Sequence, residues 1–135
     1  MSALDIAQAV KSKKFSALAA VEAALARIAK HDSVLNSFTD VTAERARAKA
    51  REVDATIAAG KNPGSLAGVP FAVKNLFDVK GLPTRAGSKI NRDLPAAARD
   101  ATLIERLEAA GAVLVGALNM GEYAYDFTGD RKSVV

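Results

Sequence analysis

The 135-residue chain contains no cysteine, no tryptophan and a single histidine. The lack of cysteine excludes a disulfide scaffold, a thiolate metal site and a cysteine nucleophile, and it favours a reducing compartment such as the cytoplasm. One histidine and no thiolate are too few ligands for a structural zinc site. The composition therefore predicts no metal and no other cofactor.

Long apolar runs and blocks of one charge are also missing. No run reaches the ~18 apolar residues that a membrane span needs, and no basic segment followed by an apolar stretch marks a secretory signal. Lys and Arg outnumber Asp and Glu by nine to seven in residues 1–60 and by ten to eight in residues 61–135. Because this charge is evenly spread, we expect a cytoplasmic protein that contacts neither nucleic acid nor a membrane.

Residues 1–60 carry the periodicity of amphipathic helices. The pattern predicts helices over residues 3–11, 17–31 and 43–59. The apolar stripes of the second and third are formed by Leu18, Val21, Leu25 and Ile28 and by Ala46, Ala50, Val53 and Ile57. The single histidine, His31, is expected to be an exposed residue in the last turn of the second helix. Residues 34–39 read as a short link or strand.

The second half of the chain predicts a βαβ unit. Apolar runs predict strands that end at Lys74 and that span residues 112–116. An ordered loop over residues 75–99 and a helix from Ala101 to Ala110, capped by Asp100, are expected between them. This helix is expected to direct Leu103, Ile104 and Leu107 inward. The two strands should be parallel, and ligands of such sheets bind at the carboxyl ends of the strands. Lys74 at that end is therefore either a surface residue or a working amine.

Four motifs then follow one another in a fixed order. They are Gly68-Val69-Pro70-Phe71-Ala72-Val73-Lys74-Asn75, Gly81-Leu82-Pro83-Thr84-Arg85-Ala86-Gly87-Ser88, Asp100-Ala101-Thr102 and the run from Leu107 to Met120. Together they resemble the N-terminal part of an amidase-signature hydrolase, over a stretch from Leu4 to Gly129. The resemblance implies an α/β fold of helices around a mixed sheet. We expect this chain to hold an incomplete part of it, with N-terminal helices and one βαβ unit.

The resemblance also implies a catalytic site. Amidase-signature enzymes hydrolyse C–N amide bonds with a Ser–cis-Ser–Lys triad and no metal, and Lys74 matches the lysine of that triad. The two serines and the backbone donors of the oxyanion hole belong to a Gly-Gly-Ser-Ser-Gly-Gly segment, which this sequence lacks. Ser88 and Ser133 lie outside any such segment. We therefore expect these 135 residues alone to be inactive.

Three further features lie near the expected site. Asn75 is expected either to hydrogen-bond near Lys74 or simply to end the strand. Residues 84–88 are expected either to shape the mouth of the site or to serve only as a turn. The aromatic residues Tyr123, Tyr125 and Phe127 are expected to pack in a core rather than to stack on substrate.

The last six residues depart from the family pattern. Asp130-Arg131-Lys132-Ser133-Val134-Val135 equals a translation of GATCGGAAGAGCGTCGTG, a widely used sequencing adapter. We therefore expect residues 1–129 to be the N-terminal portion of a single amidase domain, and residues 130–135 to be a non-native tail.

Three functions remain open at this point. Two loop motifs, residues 86–91 and 121–125, most resemble the AtzE type, which implies hydrolysis of a small carboxylated urea- or biuret-type amide. The next resemblance is to the A subunit of the aspartyl/glutamyl-tRNA amidotransferases, which releases ammonia for a partner. Both imply a small helical partner subunit of the GatC or AtzG type. The third is a non-catalytic helical interaction protein, in which Lys74 can be replaced freely.

Overall fold

A computed structural model describes residues 1–125. Its helices and strands follow in the order α1 (Ala3–Lys11), α2 (Ala17–Leu35), β1 (Phe38–Val41), α3 (Ala43–Ala58), β2 (Pro70–Lys74), α4 (Thr102–Ala109) and β3 (Val113–Leu118). Single 3-10 turns cover Lys89–Asn91 and Glu122–Ala124. None of the helices within these residues has the length and apolarity that crossing a bilayer requires. The predicted tail, residues 130–135, lies outside the described residues.

The three strands found in residues 1–125 form one mixed sheet in the order β1–β3–β2. β2 and β3 are parallel, with Pro70 opposite Val113 and Lys74 opposite Leu118, as the βαβ pattern predicts. β1 pairs antiparallel with β3 and places Phe38 opposite Leu118. The expected α/β fold with a mixed sheet is therefore confirmed. The carboxyl ends of β2 and β3 and the start of β1 lie together at one end of the sheet, here called its carboxyl edge.

The apolar stripes of α2 and α3 cover one face of the sheet, and α1 adds Val10 to the same core. The buried members of this core are Val10, Ala17, Val21, Leu25, Ala46, Ala50, Val53, Ala67, Val113 and Val115. The predicted stripes are therefore confirmed. Alanine at positions 46 and 50 allows the backbone of α3 to lie close to the sheet, and neither side chain is exposed at all.

The other face is covered by α4 and by the loop that follows β2. Ile104 of α4 and Leu114 of β3 are the fully buried members of this smaller core, and Val73 and Val79 complete it. The prediction that Leu103 points inward is wrong, because its side chain is 43% exposed. Neighbouring residues of a helix diverge by about 100°, so a two-turn helix that buries Ile104 directs Leu103 away.

The boundary of α2 also differs from the prediction. The helix continues to Leu35, and Asn36 ends it with a left-handed backbone at φ 49° and ψ 43°. The carboxylate of Asp32 then accepts hydrogen bonds from the backbone N–H groups of Ser37, at 2.7 Å, and of Phe38, at 3.3 Å. These bonds lead the chain directly into β1. His31 is exposed as expected, but the prediction that it lies in the last turn is wrong.

Asp100 does not cap α4. The helix begins at Thr102, and Ala101 is its N-cap without a side-chain hydrogen bond. The carboxylate of Asp100 instead accepts two hydrogen bonds from the guanidinium of Arg45 on α3, at 2.8 and 2.7 Å. The prediction fails because a bidentate, charge-assisted pair is stronger than a bond to a helix-end amide.

Candidate active site

Lys74 ends β2 at the carboxyl edge of the sheet. Successive side chains of a strand point to opposite faces. Phe71 and Val73 pack on the α4 side and Ala72 packs on the α2–α3 side, which assigns Lys74 to the α2–α3 side. The side chain is exposed, and no hydrogen bond or ion pair to it is found within residues 1–125. Within the described part of the chain, the position of Lys74 is therefore set by its strand and not by hydrogen bonds or ion pairs of its side chain.

The next residue, Asn75, is only 2% exposed and uses all of its polar groups. Its backbone N–H donates to the carbonyl oxygen of Leu118 at 2.9 Å, and its carbonyl accepts from the N–H of Ala86 at 2.7 Å. Its side-chain Oδ1 accepts from the N–H of Arg85 at 2.7 Å, and its Nδ2 donates to Thr39 Oγ1 at 2.7 Å. Asn75 thus joins β1, β3 and the loop after β2 at one point.

An ion pair lies beside this amide. The Nη1 of Arg85 donates to the Oδ2 of Asp40 at 2.8 Å, and the Nδ2 of Asn75 lies 3.4 Å from the same oxygen. The Asp40 side chain is 20% exposed and the Arg85 side chain 35%. Because both partners are partly shielded from water, the pair is stronger than a fully exposed one. It fixes the Arg85 side chain against β1.

The loop from Thr84 to Asn91 is held against the chain that follows β3. Gly87 has a positive φ of 70°, and a Cβ there would lie 2.5 Å from the carbonyl oxygen of Met120. Only glycine permits this approach without displacement of the backbone. Ser88 is buried, and its hydroxyl donates to Glu122 Oε1 at 2.6 Å. In this structure Ser88 therefore joins two loops.

Tyr123 takes part in the same junction but is not a core residue. Its N–H donates to the carbonyl oxygen of Ala86 at 2.7 Å, and Asn91 Nδ2 donates to its hydroxyl at 2.9 Å. Its side chain is 55% exposed and that of Tyr125 is 76% exposed. The prediction that this aromatic cluster packs in a core is wrong for these two residues, and Phe127 lies outside the described residues.

A second charged cluster, formed by Arg45, Asp100 and Glu108, was missed by sequence reasoning. It contacts the long loop between β2 and α4 at Lys80. Arg45 binds Asp100 and also Glu108 of α4, whose Oε2 lies 2.8 Å from Nη2. The backbone N–H of Lys80 donates to Asp100 at 2.8 Å. The hydrogen bonds from Arg45 lower the pKa of Asp100, and the two carboxylates raise the pKa of Arg45. The sequence singled out Asp100 through the Asp-Ala-Thr motif and as a helix cap, and neither signal pointed to Arg45.

The structure thus brings Lys74, Asn75 and residues 84–88 together at one edge of the sheet. Clefts of about 340 and 460 Å³ lie beside α1 and Phe15, and Lys74 lines neither. Within residues 1–125 no group of His, Cys, Asp and Glu is arranged to hold a metal ion. The chemically useful feature of this edge is a lysine amine on a rigid support, which can act as a base or as a cation.

The Amidase family model matches residues 19–134 of the chain. AtzE, the 1-carboxybiuret hydrolase subunit of Pseudomonas sp. (strain ADP), is 52% identical over 128 residues, which are 95% of this chain and 28% of that protein. The A subunit of the glutamyl-tRNA(Gln) amidotransferase of Anaeromyxobacter sp. (strain K) is 53% identical over 116 residues, or 85% of this chain and 23% of that protein. The chain therefore spans about a quarter of the length of these curated relatives.

Solved structures agree with these similarities. A complex described as vestigial, which reveals the evolutionary origins of an s-triazine catabolic enzyme, contains a chain with a TM-score of 0.90 and 52% identity. The match covers 93% of this chain and 27% of that one. A bacterial aryl acylamidase of the amidase-signature family has a TM-score of 0.84 and 32% identity, over 91% of this chain and 26% of that one. The motifs, the fold and these matches show that the chain belongs to the amidase-signature family.

Proposed function

We propose that residues 1–129 are the N-terminal portion of a single amidase domain in a longer amidohydrolase. The substrate is a small carboxylated urea- or biuret-type amide, and the reaction is hydrolysis of its C–N bond. The observation that carries this proposal is the position of Lys74 at the end of a parallel strand, next to the fully bonded Asn75. The 52% identity to AtzE over 95% of the chain supports this class of substrate.

Lys74 is the base of this reaction. A serine hydroxyl is a weak nucleophile until a neighbouring base removes its proton. In a Ser–cis-Ser–Lys triad the neutral lysine amine accepts that proton through the bridging serine. The nucleophile then attacks the carbonyl carbon, the C–N bond breaks with return of the proton to nitrogen, and water hydrolyses the acyl-enzyme. Of these three residues, the chain supplies only the lysine, and the rest of the longer protein supplies the serines.

A second candidate is the A subunit of a tRNA-dependent amidotransferase, which releases ammonia from glutamine. The 53% identity to such a subunit from Anaeromyxobacter supports it, although over a shorter stretch of 116 residues. In either case we propose a cytoplasmic enzyme with a small helical partner subunit of the AtzG or GatC type. We also propose that residues 130–135 are a non-native tail.

The test uses the full-length gene product that carries this segment. Ammonia release from 1-carboxybiuret and from glutamine is measured for the unmodified protein, Lys74→Ala and Lys74→Arg. We expect both variants to lose about a thousandfold or more in kcat, because a triad without its base retains only binding and the oxyanion hole. Lys61→Ala is the matched control, since Lys61 is an exposed lysine in the loop before β2.

The pattern of activities separates the candidates. Faster turnover of 1-carboxybiuret supports the amidohydrolase, whereas faster turnover of glutamine supports the amidotransferase. Full activity of Lys74→Ala on both substrates, with Lys61→Ala also active, contradicts the role of Lys74. Absence of activity in the unmodified protein, with and without a partner subunit, favours a non-catalytic interaction protein.

A further inference from the structure

Asn75 and Ser88 are the two buried polar residues within residues 1–125, and the side-chain amide of Asn75 is bonded at both its oxygen and its nitrogen. Asn75 directly follows Lys74, and its four polar groups contact three separate segments of the fold. A residue held in four places cannot shift without breaking several buried hydrogen bonds, and each broken bond leaves a group unsatisfied. The backbone of Lys74 is therefore held from its C-terminal side as well as by the sheet.

The chemistry of these contacts requires an amide at position 75. The N–H of Arg85 can only donate, so the side-chain atom that faces it must be an oxygen. The atom that faces Asp40 Oδ2 at 3.4 Å and Thr39 Oγ1 at 2.7 Å must then be the NH2 group. An aspartate at position 75 has the same shape, but it lacks that donor and places a second carboxylate beside Asp40. Like charges at this distance in a shielded site repel strongly.

We propose that Asn75 is the positioning residue of the Lys74 site. Its amide clamps the loop of residues 84–91 to the end of β2 and to β1, and the clamp holds the Lys74 backbone in the orientation that catalysis needs. This inference rests on the proposed function for its kinetic consequence, but the clamp itself is a property of the fold. The Arg85–Asp40 ion pair completes the clamp on the loop side.

The experiment compares isosteric variants in the full-length gene product. Asn75→Asp is expected to lower kcat by about tenfold or more with little change in KM, because a small displacement of a catalytic group affects the transition state more than substrate binding. Asn62→Asp is the matched control. Asn62 accepts a hydrogen bond from the N–H of Gly64 through its Oδ1, which is its one side-chain bond within residues 1–125, and an aspartate keeps that acceptor.

A double variant tests whether the amide–carboxylate contact is the cause. Asn75→Asp combined with Asp40→Asn exchanges the two groups and restores the original charge, so we expect it to recover part of the kcat that Asn75→Asp loses. The recovery is incomplete because the amide at position 40 no longer pairs with Arg85 through the same atom. If Asn75→Asp does not fold, Thr39→Val removes one acceptor of the amide and is expected to lower kcat by about two- to fivefold. An unchanged kcat per folded molecule in either single variant, or a loss confined to KM, contradicts the proposal.

Hydrogen exchange separates this inference from the proposed function. The N–H of Arg85 donates to the side-chain Oδ1 of Asn75, whereas the N–H of Ala86 donates to its backbone carbonyl. Asn75→Ala removes only the first of these acceptors, so it is expected to accelerate the exchange of the Arg85 N–H by about tenfold or more, with a smaller effect on Ala86. Asn62→Asp leaves that exchange unchanged. If the unmodified protein hydrolyses no amide, the proposed function fails, and the exchange data still decide whether the clamp exists. Equal exchange in Asn75→Ala and the unmodified protein overturns the clamp itself.

Discussion

The α2–α3 face of the sheet and its carboxyl edge are stabilised in different ways. On the α2–α3 face, alanine, valine and leucine side chains fill the space between helices and strands. At the carboxyl edge, Asn75, Asp40 and Arg85 form a network of directed hydrogen bonds beside Lys74. Apolar contacts are non-directional and many in number, whereas a polar network fails when one partner is removed. The edge that carries the proposed chemistry therefore depends on particular pairs of polar groups, whereas the apolar face depends on the volume that its side chains fill.

The largest expected effect on stability lies in an apolar core. Ile104→Ala should lower the free energy of unfolding by about 2–5 kcal/mol, because it leaves a cavity under the fully buried contact with β3. The measurement is urea unfolding of the purified protein. Leu103→Ala on the same helix is the control and should lower stability by clearly less, since Leu103 is 43% exposed whereas Ile104 is fully buried. Equal losses in the two variants would refute the assignment of the inward face.

The cluster of Arg45, Asp100 and Glu108 tests how much charged contacts contribute to stability. Arg45→Met should lower the free energy of unfolding by about 1–3 kcal/mol, because Asp100 and Glu108 then lose a partner in a partly shielded site. Arg47→Met, two residues along α3, removes surface pairs with Glu22 and Glu44 and should have a clearly smaller effect. Urea unfolding at low and high salt distinguishes the two, since only the surface pairs are well screened. A larger loss for Arg47→Met contradicts this ranking.

Substitution of two glycines by alanine distinguishes the free-energy cost of backbone strain from that of a close contact. Gly87→Ala combines a positive φ with a Cβ placed 2.5 Å from a backbone oxygen, so it should cost more than about 1–2 kcal/mol. Gly81→Ala also has a positive φ, of 86°, but no atom lies within 4 Å of its Cβ. It should cost about 1 kcal/mol from strain alone. Thermal melting of the two variants gives the difference, and equal values would show that the 84–88 loop is not held against Met120.

The smallest expected effect is a loss of stability as the pH falls. The hydrogen bonds from Arg45 lower the pKa of Asp100 below its ordinary 3.8. The stabilisation from the Asp100–Arg45 pair is therefore complete above the pKa that the Asp100 carboxyl has in the unfolded chain. It is lost as the pH falls through the lower pKa of this carboxyl in the folded state. Urea unfolding between pH 5 and pH 2 should show a steeper loss for the unmodified protein than for Asp100→Asn. Identical slopes would mean that Asp100 is not paired in solution.

Much of the apolar framework was predictable because periodicity is a local signal. The spacing of Val21 and Leu25 on α2, and of Ala46, Ala50 and Val53 on α3, identified the buried faces. The continuous apolar run before Gly116 identified β3. β1 was harder to predict, because a four-residue strand at the edge of a sheet has too few alternations to reveal a period.

The polar edge was not predictable in the same way. The sequence singled out Lys74 and Asn75 by their motif, but the partners of Asn75 lie 35 and 36 residues earlier and 10 residues later. Asp100 matched the local pattern of a helix cap, and a partner 55 residues away took its carboxylate instead. Local rules describe what a side chain can do, whereas its choice of partner depends on the completed fold. The catalytic role of Lys74 stays a prediction.

The antiparallel pairing of β1 with β3 has a consequence for synthesis. Thr39 donates to the carbonyl oxygen of Ala117, a residue 78 positions further along the chain. At about 5–20 residues per second, the ribosome needs on the order of 4–16 s to deliver this partner after β1 has emerged. During that interval the nascent strand has an open edge that other chains can join. Because β1 has only four residues, it offers few unpaired backbone groups during that interval, so its shortness protects the growing polypeptide.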